Sequence, residues 1–141
     1  ARRPDLGGAF VAGKACYLPG LWPQRDGHLL FATWWPGAPL RRNRFGIPEP
    51  VGARRAWLSP QMLDLVLLPL VGFDTTGSRL GMGGGYYDRS FAFLAHHGWH
   101  RPRLVGVGFD AQRTASLARR RWDVPLDAVL TPQNTYVLRA L

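Results

Sequence analysis

The sequence has a single cysteine, Cys16, and so no intrachain disulfide is possible. Its apolar neighbours in GKACYLP point to a buried, inert thiol. Long apolar runs are also missing. No window approaches the ~18 uninterrupted residues of a membrane-spanning helix, and no charged-then-apolar stretch suggests export. A cytoplasmic protein that stays clear of the membrane is expected. Acidic residues are scarce, nine against 18 basic ones, for a formal net charge of +9. Lysine is nearly absent: Lys14 stands alone among arginines. Such a skew reflects compositional bias as readily as a binding device. The clusters Arg41-Arg42-Asn43-Arg44, Arg54-Arg55 and Arg119-Arg120-Arg121 lie far apart in the chain. Six tryptophans could stack on bases, but no recognised nucleic-acid motif surrounds the clusters, so a nucleic-acid partner is not expected. No internal repeat is visible. With 141 residues and 46% hydrophobic content, the chain can build one core, and residues 1–141 read as a single domain.

What is present is concentrated between Asp64 and Asp88, in DLVLLPLVGFDTTGSRLGMGGGYYD. Leu65, Val66, Leu67 and Leu68 have no polar residue among them, the pattern of a strand buried on both faces of a parallel sheet. Asp74, Thr75, Thr76 and Gly77 break that run with turn residues. Arg79, Leu80, Gly81, Met82, Gly83, Gly84 and Gly85 follow, and from Tyr86 the text DRSFAFLAHH reads as a helix to about His97. Strand, glycine loop and helix N-terminus together form an architecture that binds phosphate. Glycine lets the backbone approach closely, N–H groups point inward, and the helix dipole favours an anion.

Commoner nucleotide motifs do not fit this loop. A Walker A loop ends in Gly-Lys-Ser/Thr, whereas Tyr86 and Tyr87 follow Gly85 here. The dinucleotide fingerprint needs glycine at its sixth place, which Tyr86 occupies. Gly106-Val107-Gly108 downstream matches better in form but reads as a strand whose small residues admit close packing. His96, His97 and His100 suggest a metal, yet Gly98 interrupts the helix and no fourth ligand is near.

The remaining chain alternates. Strands are expected at Lys14–Pro19, Leu29–Trp34, Leu65–Leu70, Leu104–Gly108 and Ala128–Leu130. Helices are expected after Ser59-Pro60, over Tyr86–His97 and over Ala115–Arg120. Residues Pro36 to Ser59 read as an extended connector. This pattern predicts an α/β fold, an open three-layer α/β/α domain with a largely parallel sheet. Ligands bind such sheets beyond the C-terminal strand ends, where the Asp74–Gly85 loop would lie.

These residues also resemble a known family. RLGMGGGYYDR (Arg79 to Arg89), preceded by LPLVGFD, is similar to the signature of the 5-formyltetrahydrofolate cyclo-ligases, or methenyltetrahydrofolate synthetases. GKACYLPGL, NRFGIPEP, VGVGFDAQ and WDVPLDAVLTP agree in order, so the resemblance runs from about Gly13 to the C-terminus. It implies ATP-dependent closure of 5-formyltetrahydrofolate to 5,10-methenyltetrahydrofolate through phosphorylation of the formyl oxygen. ATP would be co-substrate and Mg²⁺ the metal; the folate could carry a polyglutamate tail, and a monomer is expected. A net positive charge suits two such polyanionic small molecules. Family members open with a basic helix and a strand ending in a Glu-containing loop. No counterpart is found here, so the chain reads as N-terminally shortened. The alternative is a non-catalytic relative that binds ATP, folate or another polyanion.

Roles follow residue by residue. Phosphoryl transfer needs donors, cations and a metal, positioned in advance. ATP would contact Arg79 through Tyr87, with Arg79 supplying the guanidinium and Arg79 and Tyr87 the catalytic pair. Asp88, one turn into the helix, would hold Mg²⁺, which takes few protein carboxylates. The resemblance gives Asp123, after Trp122, as the second metal ligand; a turn is the competing reading. Asp127 reads as a cap or a turn residue, and Asp74 fits a turn or the site equally. One of Tyr86 and Tyr87 would stack on a ring while the other packs inward. The resemblance also places the folate against Phe45, Pro48, Glu49, Met82, Gly83, Gly84, Gly85 and Tyr86. Replacing Gly85 with Val sets a β-branched side chain where phosphate must approach. ATP affinity measured by calorimetry should be lost in a protein that still folds.

Overall fold

In the computed structural model, residues 12–81, 84–96 and 98–138 are described. The chain divides into two compact units, Ala1–Pro60 and Gln61–Leu141.

In the first unit, β1 (Cys16–Leu21) and β2 (Leu29–Trp34) pair antiparallel, with Cys16 opposite Trp34 and Leu21 opposite Leu29. Strand β2 falls where its apolar text placed it; β1 begins two residues later than expected, because its pairing register starts at Cys16. Leu29, Leu30, Phe31 and Ala32 are buried, and Trp57 closes over Leu30 and Ala32. Gly20 is required beneath that tryptophan, since any β-carbon there would overlap the indole ring. Cys16 is buried, its thiol 3.8 Å from the Lys14 carbonyl. The expected extended connector instead contains a hairpin, β3 (Leu40–Arg42) with β4 (Pro48–Pro50), then a 3₁₀ turn at Arg54–Ala56. Asn43 makes the hairpin. Its side-chain oxygen accepts from the N–H groups of Phe45 and Ile47 at 2.9 and 3.1 Å, an Asx bond that periodicity cannot reveal.

The second unit is built on a mixed four-stranded sheet with strand order β10-β9-β8-β5. Strands β5 (Leu65–Pro69), β8 (Arg103–Val107) and β9 (Ala128–Leu130) run parallel, and β10 (Thr135–Val137) returns antiparallel along β9. Between β5 and β8 lies a two-stranded ribbon, β6 (Gly72–Phe73) with β7 (Arg79–Leu80), then helix α1 (Tyr86–Ser90). Leu68, Phe73, Phe91, Leu104, Leu126 and Val129 form the interior. Burial of β5 on both faces is corrected: Val66 and Leu68 are buried, Leu67 is half-buried and Leu65 is exposed.

Helix content is lower than expected. Helix α1 stops at Ser90, and residues Ala92–Ala95 tighten into a 3₁₀ turn. Phe91 is fully buried, stacked 6.3 Å from Tyr87 and tilted against Phe93. Packing three aromatic rings overrides the helical preference of the intervening residues. Ser59-Pro60 opens only a single 3₁₀ turn, Pro60–Met62. No helix forms over Ala115–Arg120, because Leu117 and Arg119 are tied to the distant Asp74 and Ser78 instead. Among the described residues, no helix is long and apolar enough to cross a membrane.

Leu68, 1% exposed at the centre of this interior, gives a direct test. Leu68→Ala should lower unfolding free energy by about 3 kcal/mol in urea titration, with an unchanged m-value.

Candidate functional site

The ribbon that carries Arg79 is organised by Asp74. Its carboxylate is 1% exposed. Oδ1 accepts from the Thr76 N–H at 2.9 Å, the Thr76 hydroxyl at 2.7 Å and the Ser78 N–H at 3.1 Å. Oδ2 accepts from the Leu117 N–H at 2.8 Å, joining the turn to a segment 43 residues away. Burial alone would raise the Asp74 pKa. The Thr76 hydroxyl and the Leu117, Thr76 and Ser78 N–H groups outweigh it and hold the carboxyl below 3.8. Gly77 completes the turn at φ +92°; a β-carbon there would meet the Leu126 carbonyl at 3.0 Å.

Beyond the turn, Arg79 meets Asp88. Arg79 Nη2 donates to Asp88 Oδ1 at 2.8 Å, and the two side chains are only 11% and 19% exposed. The same oxygen accepts from the Val124 N–H at 3.0 Å. Among the described residues, Arg79 Nε is buried with no hydrogen-bond partner, an unusual state for a charged group's donor. Gly77, Ser78, Arg79, Asp88, Arg119, Asp123, Val124 and Pro125 line one small cleft. Asp123 uses Oδ2 to accept from the Arg120 N–H at 2.9 Å, so the turn role and a place in the cleft coexist.

A hard cation suits these carboxylates. Asp88 and Asp123 line the same cleft, and each commits one oxygen while the other has no partner among the described residues. No group of three or more His, Cys, Asp or Glu side chains suited to a metal occurs among the described residues.

Gly85, at φ +71°, precedes α1 without any side-chain cap. Met82 and Gly83 lie outside the described residues, as does His97; His96 and His100 are exposed. Gly81 is half-buried and Gly84 is exposed, and the Arg89 guanidinium bonds the Gly84 carbonyl and lies 5.3 Å from the Tyr86 ring. Tyr87 is the inward-packing tyrosine, stacked on Phe91. Burial raises its pKa above 10 despite the nearby Arg79 charge, so its hydroxyl keeps its proton at neutral pH.

In the first unit, Phe45 is 55% exposed at the tip of the β3–β4 hairpin, with Arg44 4.9 Å from its ring. Pro48 is half-buried in β4. Glu49 is buried, accepting from the Leu21 N–H at 3.0 Å, from Asn43 Nδ2 at 3.2 Å and from Arg54 Nη2. Its carboxylate therefore braces the hairpin.

Sequence reasoning did not place Ser78 or Arg119 at the cleft. Arg119 belongs to a cluster whose charge alone gave no hint of which arginine turns inward. Gln112 spans two strand ends. Its Nε2 donates to the Leu70 carbonyl at 2.8 Å and its Oε1 accepts from the Phe109 N–H at 2.7 Å. Asp127, expected to cap or turn locally, is buried and accepts from the Leu104 N–H of the neighbouring strand at 2.8 Å instead.

Comparison with known proteins adds independent findings. Residues 6–132 match the model of the 5-formyltetrahydrofolate cyclo-ligase family. The chain is similar to the 5-formyltetrahydrofolate cyclo-ligase of Escherichia coli K12, 42% identical over 134 residues, 95% of this chain and 72% of that protein. The enzyme of that name from Haemophilus influenzae is 38% identical over 86% of this chain and 63% of its own length. Among solved structures, the Aquifex aeolicus 5,10-methenyltetrahydrofolate synthetase aligns with TM-score 0.72 and 31% identity, over 96% of this chain and 66% of that one. The chain therefore spans about two thirds of the length of these relatives.

Asp74 offers the sharpest test of the site's framework. Because its carboxyl lies below 3.8 when folded, its contribution is complete above that pH and is lost as pH falls through the folded value. Asp74→Ala should cost about 3 kcal/mol or more at neutral pH. Its unfolding free energy should also vary less than the parent's between pH 4 and lower values, as followed by circular dichroism.

Proposed function

The chain belongs to the 5-formyltetrahydrofolate cyclo-ligase family, ligases of folate one-carbon metabolism that use ATP as co-substrate, and on that basis we propose that it converts 5-formyltetrahydrofolate to 5,10-methenyltetrahydrofolate. The observation that carries the reading is the cleft at Arg79: a buried guanidinium with an unspent Nε donor, beside two half-committed carboxylates. A buried donor without a partner favours an anion bringing several acceptor oxygens.

In this reading the triphosphate lies along Arg79 and the Gly81–Gly85 loop. Arg79 turns donors toward its oxygens, and backbone N–H groups around Gly84 and Gly85 add to them. Mg²⁺, held by Asp88 and Asp123, would neutralise phosphate charge as the γ-phosphoryl moves. The formyl oxygen of the folate attacks phosphorus and ADP leaves. The folate N10 then attacks the activated formyl carbon, phosphate departs, and the methenyl ring closes. Tyr87, whose proton is retained, can donate to a phosphate oxygen as charge develops. The family resemblance also points to Phe45 and Pro48, on the first unit's hairpin that Glu49 braces, as an apolar surface for folate.

Turnover of 5-formyltetrahydrofolate with MgATP, followed by the methenyl chromophore, tests the reaction. Asp88→Asn keeps an oxygen for Val124 and Arg79 but removes the charge that the cation requires. Its rate should fall tens- to several hundred-fold, about 2–4 kcal/mol, with a higher Mg²⁺ requirement. Identical Mg²⁺ titration curves for variant and parent would count against Asp88 as a ligand. A parent that binds MgATP without turnover would be a non-catalytic relative.

A further inference from the structure

We propose that Arg119, from the Arg119-Arg120-Arg121 cluster, is a second phosphate-binding cation of the cleft. Its guanidinium is held in a fixed position: Nε donates to Ser78 Oγ at 2.9 Å and Nη2 to the Thr76 carbonyl at 2.7 Å. Both partners lie on the turn that Asp74 fixes, so the side chain is ordered before any ligand arrives. Nη1 has no partner among the described residues. The residue is exposed yet lines the cleft with Arg79, Asp88 and Asp123.

Charge decides the matter. Arg79 and Arg119 against Asp88 and Asp123 leave the lining neutral; without Arg119 it would be net negative and would repel a polyphosphate. Arg79 is ion-paired with Asp88, whereas the bonds of Arg119 to Ser78 and Thr76 go to neutral oxygens, so its charge is the less offset of the two. Arg120 cannot substitute: its guanidinium lies 5.5 Å from the Trp122 ring, and it is not part of the lining. One arginine of the cluster thus acts on phosphate while its neighbour lies against an indole.

The inference rests on the triphosphate site proposed above. Its test is ATP binding by calorimetry to the full chain, with and without Mg²⁺, for the parent and for Arg119→Ala, Arg119→Lys, Arg120→Ala and Arg79→Ala. Arg119→Ala should weaken ATP binding about tenfold, about 1.4 kcal/mol, and more without Mg²⁺, where Arg79 alone faces the two carboxylates. Arg120→Ala should match the parent, and Arg119→Lys should fall between. If Arg119→Ala fails to fold, Arg119→Lys decides: affinity equal to the parent overturns the proposal, and an intermediate value supports it. Equal affinity of parent and folded Arg119→Ala, with loss in Arg79→Ala, overturns this inference and leaves the triphosphate site standing. A parent that binds no ATP in either condition overturns both.

Discussion

The buried carboxylate of Asp74 is the constraint on which the second unit's chemistry depends. A charge 1% exposed is stable only if its surroundings replace water, and four donors do so here. Three come from the turn itself and set its shape. The fourth, from Leu117, fastens the long irregular crossover between β8 and β9 to the ribbon. Parallel strands usually rely on a helical crossover; hydrogen bonds to one side chain replace it. Ser78, Arg79 and Arg119 derive their positions from that arrangement.

Within the cleft, opposite charges are kept close without being exhausted. The Arg79–Asp88 pair, at 2.8 Å and largely shielded from solvent, holds both groups where an incoming anion and cation could claim them. An exposed pair would contribute little and hold nothing in place. In the first unit Glu49 is likewise held by several donors. Its oxygens are shared among Leu21, Asn43 and Arg54, and Arg54 in turn lies 3.8 Å from the Trp57 ring.

Strong apolar runs made the strands legible. Leu29–Trp34 and Ala128–Leu130 lie where their composition put them, and β5 and β8 differ by a residue at their ends. The turn at Asp74–Gly77 was equally readable, because its residues act locally. The β3–β4 hairpin and β10 escaped notice: each strand is three residues long, too short for period-2 alternation to register. The helix from Tyr86 failed for a tertiary reason, the burial of Phe91 against Tyr87. At the cleft, Arg79, Asp88 and Asp123 are named by the signature text that carries the family resemblance. Arg119 was hidden because its neighbours share its chemistry, and only long-range bonds to Thr76 and Ser78 distinguish it.

The two glycines of GVGF answer to different neighbours. A β-carbon on Gly106 would come within 2.6 Å of Leu70 Cδ1, whereas one on Gly108 would come within 2.6 Å of Gln112 Oε1. The amide of Gln112 fills the space that a side chain at 108 would need, and it binds the Leu70 carbonyl and the Phe109 N–H from there. Positions 108 and 112 are therefore physically coupled. An alanine at 108 would push the Gln112 amide aside, and the two backbone groups it binds would need other partners. Covariation between these columns, with Leu70 answering separately to Gly106, is the mark this staple would leave across divergent sequences.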